Sequence, residues 1–188
     1  GGVASLHPIY SGDESLELEV DPRVEGEWIT PNAKPGSPPE GEWRISAPVG
    51  NVPSYKVVVK NDHDVRHFNV RLLSIEGLRF FDAEFEGWED EKASVTRGEL
   101  PFVVSTHVLG RVWVEDDLIR LTFLRENWPV EHLHRTDWIH FSERLADSTI
   151  LTEQTEALRA TLLRAAQVPE AWDVAYLCRP GPECSVRA

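Results

Sequence analysis

Tyr55-Lys56-Val57-Val58-Val59-Lys60, Asn61-Asp62-His63-Asp64, Phe68-Asn69-Val70-Arg71-Leu72: this stretch decides the fold. Tyr55, Val57 and Val59 share one face of a strand, with Lys56 and Lys60 on the other. Asn61 to Asp64 supply residues that tolerate left-handed backbone and bond locally to it, which turns the chain. Phe68, Val70 and Leu72 then face inward against Asn69 and Arg71. Apolar residues at every second position describe an antiparallel sheet with one buried and one wet face.

The rhythm continues to residue 124. Glu76-Gly77 turns the chain into a strand over 78–85, and an acidic loop follows. Phe102, Val104, Thr106 and Val108 alternate with Ser105 and His107, and Gly110 suggests a bulge or kink before Val112 and Val114. Glu115-Asp116-Asp117 makes a hairpin turn, and Ile119, Leu121 and Phe123 return against Arg120 and Thr122. Upstream, two Gly-Glu-Trp triplets, at 26–28 and 41–43, open strands on either side of a proline-rich loop.

Downstream the pattern changes. Asn127 or Trp128 caps a short helix with Pro129 in its first turn. Residues 138–141 and 149–151 read as brief strands. Thr152 caps one long helix over 153–167, buried through Leu158, Leu162, Ala165 and Ala166, with Pro169 just beyond it. Trp172, Val174 and Tyr176 mark a last strand. The expected fold is mainly β with a C-terminal helix: an antiparallel up-and-down meander forming a lipocalin-like barrel or half-barrel. Residues 1–22 read as an acidic tether, 23–177 as a single domain, and 178–188 as a tail.

The chain has 188 residues, enough for one sizeable core. Its formal charge is −13, from 32 acids against 19 bases, a balance that repels nucleic acid and anionic membrane surfaces. It contains no Met and begins Gly1-Gly2, which reads as a processed or trimmed product with any targeting segment removed. No apolar run approaches the ~18 residues of a membrane span. The two cysteines, Cys178 and Cys184, enclose Arg-Pro-Gly-Pro-Glu. A small disulfide loop in an oxidising compartment is the leading reading, with free thiols or a metal ligand as the alternatives.

Gly26-Glu27-Trp28 resembles the Gly-x-Trp that opens lipocalin-like barrels, whose Trp packs across the closed end. A broader resemblance covers 55–169. It is carried by Leu78-Arg79-Phe80-Phe81-Asp82, Leu118-Ile119-Arg120-Leu121-Thr122-Phe123-Leu124, Asn127-Trp128 and Ile150-Leu151-Thr152-Glu153-Gln154-Thr155-Glu156-Ala157-Leu158. The chain resembles a family of uncharacterised bacterial lipoproteins of lipocalin-like build. The resemblance implies an exported, cell-envelope protein, lipid-anchored through an N-terminal Cys absent from this chain. It brings no catalytic residues.

Candidate sites are few. Residues 82–93 place acids at positions one, three, five and nine and Gly87 at six of a calcium loop, but Ala93 stands where a bidentate Glu is required. A strand with Asp82, Glu84 and Glu86 on its wet face is the simpler reading. His132 and His134 point about 200° apart on a helix and cannot share a metal there; the seven histidines go to surfaces and turns. Neither a Gly-x-Ser-x-Gly nor a phosphate-binding glycine loop occurs, so no catalytic, cofactor or metal residue is expected. Of seven tryptophans, Trp88, among acids in a loop, and Trp113, opposite Val112 and Val114, are the candidate partner contacts.

Three functions compete: a non-catalytic envelope protein acting through protein contacts, a carrier or sensor of a small apolar molecule, and a hydrolase of unfamiliar spacing. The interior separates them. A core filled by residues such as Phe68, Val70, Phe102, Ile119 and Phe123 leaves no room for a ligand, and small barrels usually fill. A filled interior, and with it the non-catalytic envelope protein, is the expectation; an open lumen of roughly a few hundred Å³ would favour the carrier.

Overall fold

The computed structural model describes residues 2–11, 18–90, 105–143, 146–182 and 184. The strands are β1 (Gly2–Ser5), β2 (Leu18–Glu19), β3 (Gly26–Thr30), β4 (Gly41–Ser46), β5 (Tyr55–Lys60), β6 (Asp64–Ile75), β7 (Leu78–Asp90), β8 (His107–Val114) and β9 (Leu118–Leu124). Helix α1 (Asn127–His132), strands β10 (Trp138–Glu143) and β11 (Ala146–Leu151), helix α2 (Thr155–Ala166) and strand β12 (Trp172–Cys178) follow among the described residues.

Eight antiparallel strands close into a barrel in the order β8-β7-β6-β5-β4-β3-β12-β9, with β9 returning to β8. The last strand makes the closure. Strand β12 runs along all of β9 and touches β3 where Cys178 meets Ile29. Local chemistry sets the hairpins. The Asn61 side-chain oxygen accepts from the backbone N–H groups of His63 and Asp64, at 2.8 and 2.9 Å, and so fixes the β5–β6 turn. At β6–β7, Glu76 and Gly77 both take positive φ, 50° and 78°, as a tight two-residue hairpin requires.

Two cores share this sheet. The inner one holds Trp28, Tyr55, Val57, Leu72, Phe81, Val112, Ile119 and Leu177. The outer one packs Leu73, Phe80 and Leu109, on the outside of the wall, against Leu158, Leu162 and Ala165 of α2 and against Trp128 and Trp172. Strands β6 and β7 are therefore apolar on both faces. The doublets Leu72-Leu73 and Phe80-Phe81 serve one core each.

The N-terminal stretch is built into the fold. Strand β1 runs parallel to β11 and meets β8 at Ser5 and His107, on the same edge of β8 that pairs with β9 further along. Ile9 is fully buried in the outer core. Residues 2–10 thus form an outer layer where a tether was expected, and 12–17 lie outside the described residues.

Several other expectations change. The β6–β7 ladder bulges between His67 and Phe68, opposite Glu86, and Gly110 lies in regular pairing. Gly110 is required by close approach: a Cβ there would collide with the Thr122 carbonyl and the Phe81 ring. Thr152 does not cap α2, which begins at Thr155 after Gln154; its hydroxyl donates to the Thr136 carbonyl. In β12, Val174 and Tyr176 face outward and exposed, while Leu177 is buried in the inner core. Phe102 and Val104 lie outside the described residues.

Candidate binding cavity and surrounding polar clusters

The barrel encloses a cavity of about 120 Å³. Its wall is wholly apolar, with Phe81, Phe123, Val70, Val112, Leu121 and Trp43 among the side chains that form it. The interior, expected to be filled, keeps a small space that side chains do not occupy. The reason is geometric. Phe81 and Phe123 meet edge-to-face with centroids 5.6 Å apart and prop each other, and Ala83 is the smallest side chain on the wall. For scale, an apolar cavity of about 150 Å³ lined by Leu, Ile and Phe stays dry and takes benzene.

Of the two Gly-Glu-Trp triplets, Gly26-Glu27-Trp28 supplies the fully buried indole. Trp28 donates from Nε1 to the Val24 carbonyl at 2.8 Å, and the Arg179 guanidinium stacks 3.7 Å from its ring centroid. Arg179 also donates to the carbonyls of Arg23, Glu25 and Glu27, which ties the segment after β12 to the start of β3. Trp43, directly across the ladder from Trp28, lines the cavity and donates from Nε1 to Thr30 Oγ1.

A 3-10 turn over Pro22–Val24 tucks Val24 into the same interior, and Asp21 caps it. The buried Asp21 carboxylate accepts from the Arg23 backbone and guanidinium and from Arg79 Nη1 at 2.8 Å. These bonds, chiefly that of the Arg23 side chain, outweigh its burial and hold its carboxyl well below the usual carboxylate range. Asp21 also bonds Tyr55 through its backbone, with Asp21 N–H donating to the Tyr55 hydroxyl and that hydroxyl donating to the Asp21 carbonyl. Burial pushes the Tyr55 phenol up.

A second polar cluster lies outside the barrel, under the N-terminal layer. Asp82 is completely buried: its Oδ1 lies 2.6 Å from His107 Nδ1, and its Oδ2 accepts from the Ile9 backbone N–H at 2.9 Å. The expected wet face of β7 is thus occupied at Asp82, and His107 is a core residue. Tyr10 meets the His107 ring edge-on, and the Arg71 guanidinium lies over Tyr10. Glu84, next along that face, accepts from Arg71 and from Ser105. The Asp82–His107 couple orients an imidazole as hydrolytic triads do. Here His107 is buried beneath Tyr10, so the couple's evident work is to satisfy Ile9 N–H and hold residues 2–10 on the wall.

Glu153 is the other misplaced carboxylate. Thr161 donates to its Oε1, its Oε2 is buried without a partner, and burial pushes its carboxyl up. Among the described residues, no three His, Cys, Asp or Glu side chains converge as a metal site would need. His132 closes α1, stacks on Trp128 and bonds the Trp128 carbonyl through Nδ1.

Cys178, the last residue of the closing strand, is joined to Cys184 as a disulfide. Trp88 sits on β7, opposite Arg66, and not in a loop; it is about one-third exposed. Trp113 is half-buried on the outer wall beneath the guanidiniums of Arg111 and Arg120. The two tryptophans lie on strands β7 and β8 and form no common site among the described contacts. Sequence reasoning missed Asp82, His107 and Asp21. For Asp82 the signal was a carboxylate directly after a doubled hydrophobic, Phe80-Phe81; Asp21, between Val20 and Pro22, carries no such signal. No protein-family model, curated protein or solved structure matches this chain.

Proposed function

We propose that this is a non-catalytic binding protein that holds a small apolar molecule inside its barrel. The observation that carries the reading is the apolar cavity of about 120 Å³ inside the barrel. Such a site offers no hydrogen bond to the ligand, so it selects by shape and by hydrophobic transfer. A single ring or a short branched alkyl group matches its volume, and a ligand with a buried polar group is penalised. The disulfide supports an oxidising compartment, and hence export to the cell envelope, as the lipoprotein resemblance implies.

A second reading, action through protein contacts, draws on Val174 and Tyr176, which stand exposed side by side on the outside of β12. Native mass spectrometry separates the two. The carrier reading expects a reproducible mass excess, on the order of one hundred daltons as a single ring would give, that disappears on denaturation or appears on adding an apolar ligand series. A clean dimer with no small-molecule adduct and no uptake from the series would contradict it and favour contacts.

A further inference from the structure

The outer wall of β8, β9 and β12 carries an unusual juxtaposition. Arg111 and Trp113 are two apart on β8, Arg120 lies directly across from Trp113, and Tyr176 lies directly across from Arg120. The Arg111 guanidinium is 4.5 Å from the Trp113 ring centroid and that of Arg120 is 3.7 Å. Both arginines and the Trp are half-buried, so the group is shaped by packing but open to solvent.

What the group lacks is an anion. Arg23, Arg44, Arg66, Arg71, Arg79 and Arg125 each pair with a carboxylate. Among the described residues neither Arg111 nor Arg120 has one, in a chain with 32 acids. Stacking on an indole engages the face of a guanidinium and leaves its in-plane N–H donors unused. Arg111 Nε is in fact buried with no acceptor. Burial, and then the neighbouring Arg120 charge, pull the Arg111 side chain below its ordinary pKa. Thr122, across from Arg111 in the ladder, has its hydroxyl engaged by the Arg111 backbone N–H, so it does not serve the guanidinium.

We infer that Arg111 and Arg120, fixed on Trp113, form an oxyanion site on the outer wall of the barrel that takes a phosphate-class group. Two guanidiniums match a dianion in charge, and their fork geometry matches tetrahedral oxyanions better than ammonium groups would. The overall negative charge of the protein does not forbid this, because at physiological ionic strength fields are screened over about 8 Å. The group is either a free phosphate compound or a phospholipid headgroup, since both present the same oxygens. The site is separate from the apolar cavity, which lies on the other face of the same strands.

The test is a proton–nitrogen spectrum of the labelled protein titrated with inorganic phosphate, against chloride at matched ionic strength. Trp113→Phe assigns the Trp113 indole. The expected result is a joint, saturating shift of the Trp113 Nε1–H and Arg111 Nε–H signals at millimolar phosphate. Arg111→Gln and Arg120→Gln each weaken binding tenfold or more, and Arg111→Lys falls between. An unchanged Trp28 indole signal certifies the fold of each variant, and Arg120→Gln, at the end of the patch away from the buried Nε, serves if Arg111→Gln misfolds. Co-sedimentation with phosphatidylglycerol-containing vesicles, lost in Arg120→Gln, assigns the headgroup as source; phosphate binding without co-sedimentation assigns a soluble one. Shifts that stay linear, that chloride reproduces, or that survive both substitutions overturn the site.

Discussion

Strands β6 and β7 build two cores, one on each face, and the two differ in kind. Inside the barrel, Leu72 and Phe81 join a ring of apolar side chains around empty space. Outside, one residue along in each strand, Leu73 and Phe80 are fully buried against a helix. The outer core also holds charge, with Asp82 and His107 sealed under the N-terminal layer. The contrast teaches a division of labour. The packed exterior carries stability and allows the interior to stay open.

The sharpest way to break that contrast is to shorten one side chain in each core. Leu162→Ala removes a fully buried helix contact and is expected to cost about 2–5 kcal/mol in urea unfolding. Val70→Ala, on the cavity wall, should cost roughly 1 kcal/mol, because the lost methyls already border empty volume. Equal costs would mean that the interior is as well packed as the exterior.

An effect smaller than that of Leu162→Ala should come from the sealed pair. Asp82→Asn weakens the bonds to His107 and the Ile9 N–H, at an expected cost of about 1–3 kcal/mol. Hydrogen exchange should quicken first at Ile9 and in β1, while amides of β9 and β12 keep their protection. Uniform loss of protection would mean that the pair holds the whole barrel and not only its outer layer.

The smallest effect is one of acid. The folded-state pKa of Asp21 is depressed, so the folded protein binds fewer protons than the unfolded chain at this group. Its contribution is complete above the ordinary carboxylate pKa of about 4 and is lost as pH falls below it. Asp21→Asn should lower stability at pH 7 and flatten the acid limb of the stability–pH curve. An unchanged acid limb would remove Asp21 from the account of barrel stability.

The inner face was legible residue by residue. Val57, Val70, Ile119, Leu121 and Phe123 were expected inward from period two alone, and all border the cavity. The outer face was not. Alternation assumes that the second face is wet, and it therefore misreads a strand covered on both sides, such as Leu72-Leu73 or Phe80-Phe81-Asp82. What covers that face is α2, Ile9 and Trp128, which lie tens of residues away in sequence. The cavity was illegible for a different reason. Its existence depends on how two rings lean on each other, and no pattern of residue types records an angle. The disulfide was readable from spacing, but its position, anchored on the last residue of the strand that closes the barrel, was not.

The central claim is that side chains leave an apolar space in the barrel interior, and xenon tests it most directly. Diffraction from crystals under xenon pressure should show density within the ring formed by Phe81, Phe123 and Leu121. A structure with no xenon there, and with side chains of opposite walls, such as Val57 and Leu121, filling the lumen between them, would contradict the account.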